Sequence, residues 1–311
     1  MPFPRGNDRM IKKTWRRYRL LYILMLPGLL YFFIFCYIPM FGIVIAFKDF
    51  RPFEGVAGIF TSQWVGFRHF TRFFSSYYFG RLIGNTLKIS FLKLLFGFPA
   101  PIILALMLNE VRNKYFLKIT QTISYLPHFL STVVIATLIA YIFSADNGPV
   151  NAVVTALGGQ PVAFLQDVRY FVGILVGGSV WESVGWGSII YLAAICSISP
   201  ELTEAAIMDG AGKMRQIWHV TLPGMSPVIA LMLIFSIGGL LNAGFEQILL
   251  LYSPGVYSVA DIIDTYVYRS GIVDSNYSFA TAVGLFKNVL AVILVVGSNK
   301  IANKMGYEGV W

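Results

Sequence analysis

Six long apolar runs dominate the chain, at about 20–47, 82–108, 117–143, 170–198, 227–251 and 279–301. A helix needs about 20 mainly apolar residues to cross roughly 30 Å of hydrocarbon, so each run is long enough to span a bilayer. The runs are apolar right round a helix rather than along one stripe, as befits segments covered on every side by lipid or other helices. With 57% hydrophobic and 13% charged residues and a mean hydropathy of +0.69, the 311 residues carry too little charge to keep a soluble surface wet. Pro27, Pro39, Pro99, Pro101 and Pro127 fall inside or beside the runs. Prolines would break such helices in water, whereas in a bundle the neighbours can re-satisfy the freed carbonyls. Pro127 is placed to divide the third run into two helices. The fold class expected is an all-α polytopic membrane protein with six transmembrane helices.

Positive charge sets the expected orientation. Arg5, Arg9, Lys12, Lys13, Arg16, Arg17 and Arg19 precede the first run and should hold the N-terminus in the cytoplasm. Six crossings return the C-terminus to the same side, with Arg112, Lys114, Lys118, Lys213 and Arg215 in the inner connections. The first outer connection is itself fairly basic, so the orientation rests on the N-terminal tail. The chain divides into a flexible basic cytoplasmic tail (1–19), one six-helix domain (20–303) and a short cytoplasmic tail (304–311). No removable signal peptide is expected, because the first apolar run is too long and lacks a small-residue cleavage site. The net charge of +9 does not indicate nucleic acid, since the basic residues gather at the ends of apolar runs. Cys36 and Cys196 both lie inside apolar runs, which argues against a disulfide framework or a cysteine metal site.

One inner connection, 199–225, is longer and more patterned than a helix hairpin requires. Ser199-Pro200-Glu201 is a helix start: serine as N-cap, proline at the first helical position, an acid near the positive end of the dipole. Ile207, Ala211, Met214, Ile217 and Trp218 recur at spacings of three and four and form an apolar stripe. Gly210 stands between two helix-capable halves, where glycine permits a backbone conformation other residues resist. A helix lying on the membrane surface would also be amphipathic. Such helices favour a polar face rich in Lys and Arg, and here Lys213 and Arg215 are set against Glu201, Glu204 and Asp209.

Glu204, Ala205, Ala206, Asp209, Gly210, Ala211, Val220, Leu222 and Pro223 together resemble the EAA motif of binding-protein-dependent ABC importer permeases. Val220 replaces the usual isoleucine, and Ile217 stands where phenylalanine is frequent. Further stretches, including Asn85-Thr86-Leu87, Tyr125-Leu126-Pro127-His128 and Asp264-Thr265-Tyr266-Val267-Tyr268-Arg269, are similar to the LplB-like permeases for oligosaccharides and polysaccharide fragments. The resemblance covers nearly the whole chain from about residue 20. It implies the type I importer fold in a bacterial cytoplasmic membrane, with 199–225 as a two-helix coupling loop. That loop would dock on an ATPase through Glu204, Ala205, Ala206, Asp209, Gly210, Ala211, Ile217, Trp218, Leu222 and Pro223. It also implies a second permease subunit, two cytoplasmic ATPase subunits that use ATP and Mg, an extracytoplasmic solute-binding protein, and a carbohydrate cargo.

The chain has no phosphate loop of its own, since Gly212-Lys213 is followed by Met214 and lacks the upstream glycine. His69, His128 and His219 show no metal spacing, and no catalytic constellation stands out. No cofactor and no enzymatic step are therefore expected of this subunit. Ionisable groups within a span tend to face a bundle interior or a wet cavity, which singles out Lys88, Lys93, Glu182, Glu246 and Lys287. Asn242 and Glu246 are one helical turn apart, so they should share a face of the fifth span, with Gln247 beside them. Trp181 accompanies Glu182 on the fourth span, and an aromatic face beside carboxylates and amides suits a sugar path. The candidates for cargo contact are thus Asn242, Glu246, Gln247, Trp181 and Glu182. Membrane-interface anchoring of the tryptophans, snorkelling or pairing of Lys88 and Lys287, and inter-helix bonding of the amides are equally physical readings. A secondary transporter would need repeat symmetry between halves and leaves the inner loop without a role.

Overall fold

A computed structural model describes residues 7–304, the side chains of 7–17, 301 and 302 excepted. The expected tails at 1–6 and beyond Lys304 lie outside the described residues. The basic segment expected to be flexible is helical from Asn7 onward and runs unbroken into the first span. Its last residues before the bilayer therefore belong to the same rod as Tyr18–Phe47, the first of the membrane-length helices.

The spans follow as Tyr18–Phe47, Phe79–Asn109, the bent pair Lys114–Phe129 and Thr132–Ile142, Val168–Cys196, Lys213–Gly238 and Tyr277–Lys300. Among the described residues these make six crossings if the bent pair counts as one. Proline explains the local irregularities. Ahead of Pro39 the first span widens into a π turn at Phe33–Tyr37, and ahead of Pro223 another forms at Ile217–Thr221. A proline ring clashes with the carbonyl four residues back and leaves it without a donor, and a π turn relieves both problems without ending the helix. In the third span Pro127 begins a short 3-10 turn, Leu126–Phe129, after which the chain turns by 106° and restarts at Thr132. Ser131 caps the new helix, its Oγ accepting from the Val134 amide at 3.4 Å.

The fifth span departs from expectation. It ends at Gly238, and a new helix begins only at Phe245. Between them Gly244 takes a left-handed φ of 89°, so the apolar run 227–251 holds the end of one helix and the whole of another rather than a single helix. Hydropathy averaged over the run does not register the break, because Leu240, Leu241 and Ala243 offset Asn242 and the glycines.

The fourth span, Val168–Cys196, is the central post. It packs against the second, third and fifth spans and against the segment after the fifth. Phe171, Leu175 and Val176 join Ile89, Ile135, Ile139 and Ile248 in one buried cluster, while Tyr191, Ala194 and Ile195 join Ile102, Ala105 and Met225 in another. Gly185 permits the closest approach, since a Cβ there would run into the carbonyl oxygen of Ser124 on the third span. A third cluster, Phe73, Leu82, Ile263, Phe279 and Val283, joins the first outer connection to the sixth span. By contrast, Ile23, Leu24 and Phe35 of the first span are more than half exposed, which leaves that helix for lipid or another subunit.

Candidate functional site

The loop between the fourth and fifth spans folds as two short helices set at an angle. Pro200–Met208 is the first, with Pro200 at its first position and Glu201 in its first turn. Ser199 occupies the cap position but makes no side-chain cap bond, so proline and the dipole define this start without the expected serine contact. At its other end the Ala211 amide donates to the Ala206 carbonyl and the Gly210 amide to that of Ile207, each at 2.9 Å. This is the Schellman closure, which requires a left-handed residue at the turn, and Gly210 supplies it with φ 74°. The second helix, Lys213–Gln216, continues through the π turn into the fifth span. Any force on the loop is therefore transmitted along a continuous helix into the membrane.

One contact braces the loop internally and another ties it to the second span's end. Buried Gln216 donates from Nε2 to the Ala211 carbonyl at 2.7 Å, and Lys213 pairs with Glu110 after the second span at 3.0 Å. The loop leaves several large apolar side chains uncovered: Met208 is 87% exposed, Met214 66% and Trp218 64%, and Leu202 and Ile207 are also exposed. Glu204, Ala205, Asp209, Gly210 and Pro223 are exposed beside them, with Ala206, Ala211 and Ile217 half-buried. Leu222 stands apart, packing with Ile198 on the buried cluster below, so it roots the span rather than facing outward.

Within the bundle, the structure brings together most of the polar residues singled out above, by a different route. Asn242 lies in the irregular stretch before Gly244 and is not helical, so it does not share a helix face with Glu246 as expected. Glu182, Asn242, Glu246 and Gln247 nevertheless line one cavity of about 400 Å³, together with Lys93 and Asp264. A second cavity of about 340 Å³ meets it at Lys93, Ser179 and Asn242 and extends past Ser90, Ser183 and Ser236. Trp181 is not part of this assembly. It lines an apolar recess with Leu138, Ile142 and Phe143, one face round the fourth span from Glu182. The neighbouring Trp186 stacks on His128, ring centres 4.7 Å apart.

Lys93 donates to Gln247 Oε1 at 3.2 Å, and the Gln247 Nε2, fully buried, has no hydrogen-bond partner. Lys287 donates to both oxygens of Asp264 at 2.7 Å and to Asn242 Oδ1 at 3.1 Å, which decides between snorkelling and pairing in favour of pairing. Lys88, by contrast, is exposed. Asp264 was not marked out as an intramembrane charge because it follows the apolar runs, in a connection assigned to the outside. Helix Ile263–Tyr268 is in fact tucked into the bundle, with Ile263 and Thr265 fully buried. The Ile262-Ile263 pair ahead of Asp264 was the available signal. Chemically the lining offers amides, hydroxyls, carboxylates and an ammonium to a hydroxyl-rich molecule.

The structure is thus a helical bundle with polar cavities inside and a two-helix loop that exposes apolar side chains at one end. Residues 97–304 match the family described as the binding-protein-dependent transport system inner membrane component, and the chain belongs to that family. It is 47% identical to protein LplB of Bacillus subtilis (strain 168) over 95% of this chain and 92% of that protein. The polygalacturonan/rhamnogalacturonan transport system permease protein YteP of the same organism is 45% identical, over 97% of this chain and 92% of its own length. Among solved structures, a bacterial alginate ABC transporter in complex with an alginate pentasaccharide-bound periplasmic protein contains a chain that superposes with a TM-score of 0.88. That chain is 43% identical, and the match covers 96% of this chain and 99% of its own. The type I importer fold and the multi-pass membrane character follow from these matches and from the helices themselves.

Proposed function

We propose that this chain is one permease subunit of an ATP-driven importer that receives an oligosaccharide from an extracytoplasmic binding protein and releases it into the cytoplasm. The observation that carries this reading is the 199–225 loop, whose Met208, Met214 and Trp218 face outward uncovered at the root of the fifth span. A large apolar patch of this kind on a rigid, charged knob suits a protein cleft. Two cytoplasmic ATPase subunits would use ATP and Mg, and this chain would make no chemical bond. Their closure would move the loop, and through it the fifth span and the walls of the cavity around Asn242. A second, similar permease would face this one across the path, which is consistent with the uncovered first span. Both termini and the loop would lie in the cytoplasm.

The carbohydrate cargo is supported by the names of the relatives and by a lining that carries hydroxyls, amides and carboxylates. Glu182, Asn242, Glu246 and Gln247, which line one cavity, are the cargo contacts proposed. Reconstitution of the full complex in liposomes with its binding protein tests this reading. ATPase activity should rise when that protein is loaded with an oligosaccharide, and the rise should disappear in Trp218→Asp. Stimulation that persists in Trp218→Asp and Met208→Asp alike would refute the docking assignment.

A further inference from the structure

A third cavity, of about 690 Å³, lies between the first outer connection and the segment joining the fifth and sixth spans. It shares no lining residue with the two cavities at the polar centre, and the proposed orientation places it outside the membrane. Three arginines, Arg72, Arg81 and Arg269, reach it, and so do four tyrosines, Tyr77, Tyr78, Tyr257 and Tyr266.

The arginines are not equivalent. Arg269 is committed: its guanidinium makes two parallel bonds to Asp261, at 3.2 and 2.8 Å, and lies 5.0 Å from the Tyr257 ring centre. Asp261 is fully buried and also accepts from Thr265 through Oδ1. Arg81 stands 3.8 Å from the other carboxylate oxygen, beyond hydrogen-bond distance, and its buried Nε has no hydrogen-bond partner. A guanidinium nitrogen without an acceptor is costly unless something else supplies one. Arg72 lies over the Phe279 ring at 4.9 Å, which orients it without neutralising it. Against the three guanidinium charges stand Asp261 and, at the wall, Asp274, so the cavity keeps an excess of positive charge.

Resting on the carbohydrate reading above, we propose that this cavity is a reception site for an acidic oligosaccharide, a sugar carboxylate seated on Arg81 and Arg72 and the rings against the tyrosines. Guanidinium groups bond carboxylates in a planar, directional way, and they keep that preference in partly buried surroundings. Tyrosine faces cover the apolar side of a pyranose while the phenol hydroxyls bond its hydroxyls. The cavity would thus hold uronate-bearing chains on the way to the polar centre and let neutral ones pass unheld.

The test titrates the assembled transporter, purified without its binding protein, with digalacturonate and with cellobiose, by calorimetry. Digalacturonate should bind and cellobiose should not. The double variant Arg72→Gln/Arg81→Gln should weaken the binding at least about tenfold, as for the loss of charge-assisted bonds. Tyr77 is 89% exposed, so Tyr77→Ala leaves the fold alone and should weaken binding by about threefold. If the double variant does not assemble, Tyr77→Ala decides. Absence of binding, equal binding of cellobiose, or affinity unchanged in the variants that assemble would overturn the proposal. Failure of the carbohydrate reading itself registers separately, as absence of ATPase stimulation by any saccharide-loaded binding protein.

Discussion

Single atoms decide how closely these helices approach. At Gly185 the third span's backbone takes the space of a side chain, with the Ser124 carbonyl against the α-carbon. Gly185→Ala should cost about 1–3 kcal/mol, the usual penalty for overpacking, and should lower the melting temperature of the purified complex. An unchanged melting temperature would mean that the two helices have room to part. Lys287 poses the opposite problem, a charge that must keep its partner. Its ammonium satisfies Asp264 and Asn242 at once, and both ends of the ion pair are largely buried. Lys287→Met would strand the carboxylate and should cost about 3–5 kcal/mol, whereas Lys287→Met with Asp264→Leu should recover much of that loss. Unfolding midpoints of the two variants measure the difference, and a double variant no better than the single would show that the pair does not act as a unit.

Among the elements, the two-helix loop at 199–225 and the broken fifth span are the informative ones. Gly210 closes the first short helix in a left-handed conformation, but no atom lies within 4 Å of where its Cβ would be. A substitution there meets strain rather than collision. Gly210→Val should cost about 1–2 kcal/mol locally, tilt the knob and depress binding-protein-stimulated ATPase activity while the subunit still reaches the membrane. Activity at the wild-type level would show that the angle between the short helices is unimportant. The motif residues and the glycine were legible in sequence because local chemistry dictates that turn. The end of the fifth span at Gly238 was not, since Leu240, Leu241 and Ala243 keep the run apolar across the break. Beyond it, Ile248 and Leu251 pack into the fourth-span cluster, a long-range contact that hydropathy does not show.

For the whole molecule, sidedness is the property to measure. With Cys36 and Cys196 replaced, a cysteine at Lys213 should resist an impermeant thiol reagent in intact cells, and one at Tyr77 should be labelled. The reverse pattern would invert the orientation and with it the reading of both ends of the molecule. The number of spans and the approximate limits of all but the fifth needed no tertiary information, because hydrocarbon solvates no charge and each run had to be long enough to cross it. The two short helices of the 199–225 loop were also readable, since the proline at the helix start and the glycine closure are local in the chain. The polar centre was only half readable: Glu182, Asn242, Glu246 and Gln247 do meet, but Trp181 turns away and Asp264 joins from a segment assigned elsewhere. Which way a side chain faces on a helix that is apolar all round leaves no periodic mark in sequence. It is decided by the packing of the fourth span against its neighbours, and that packing exists only once the chain has folded.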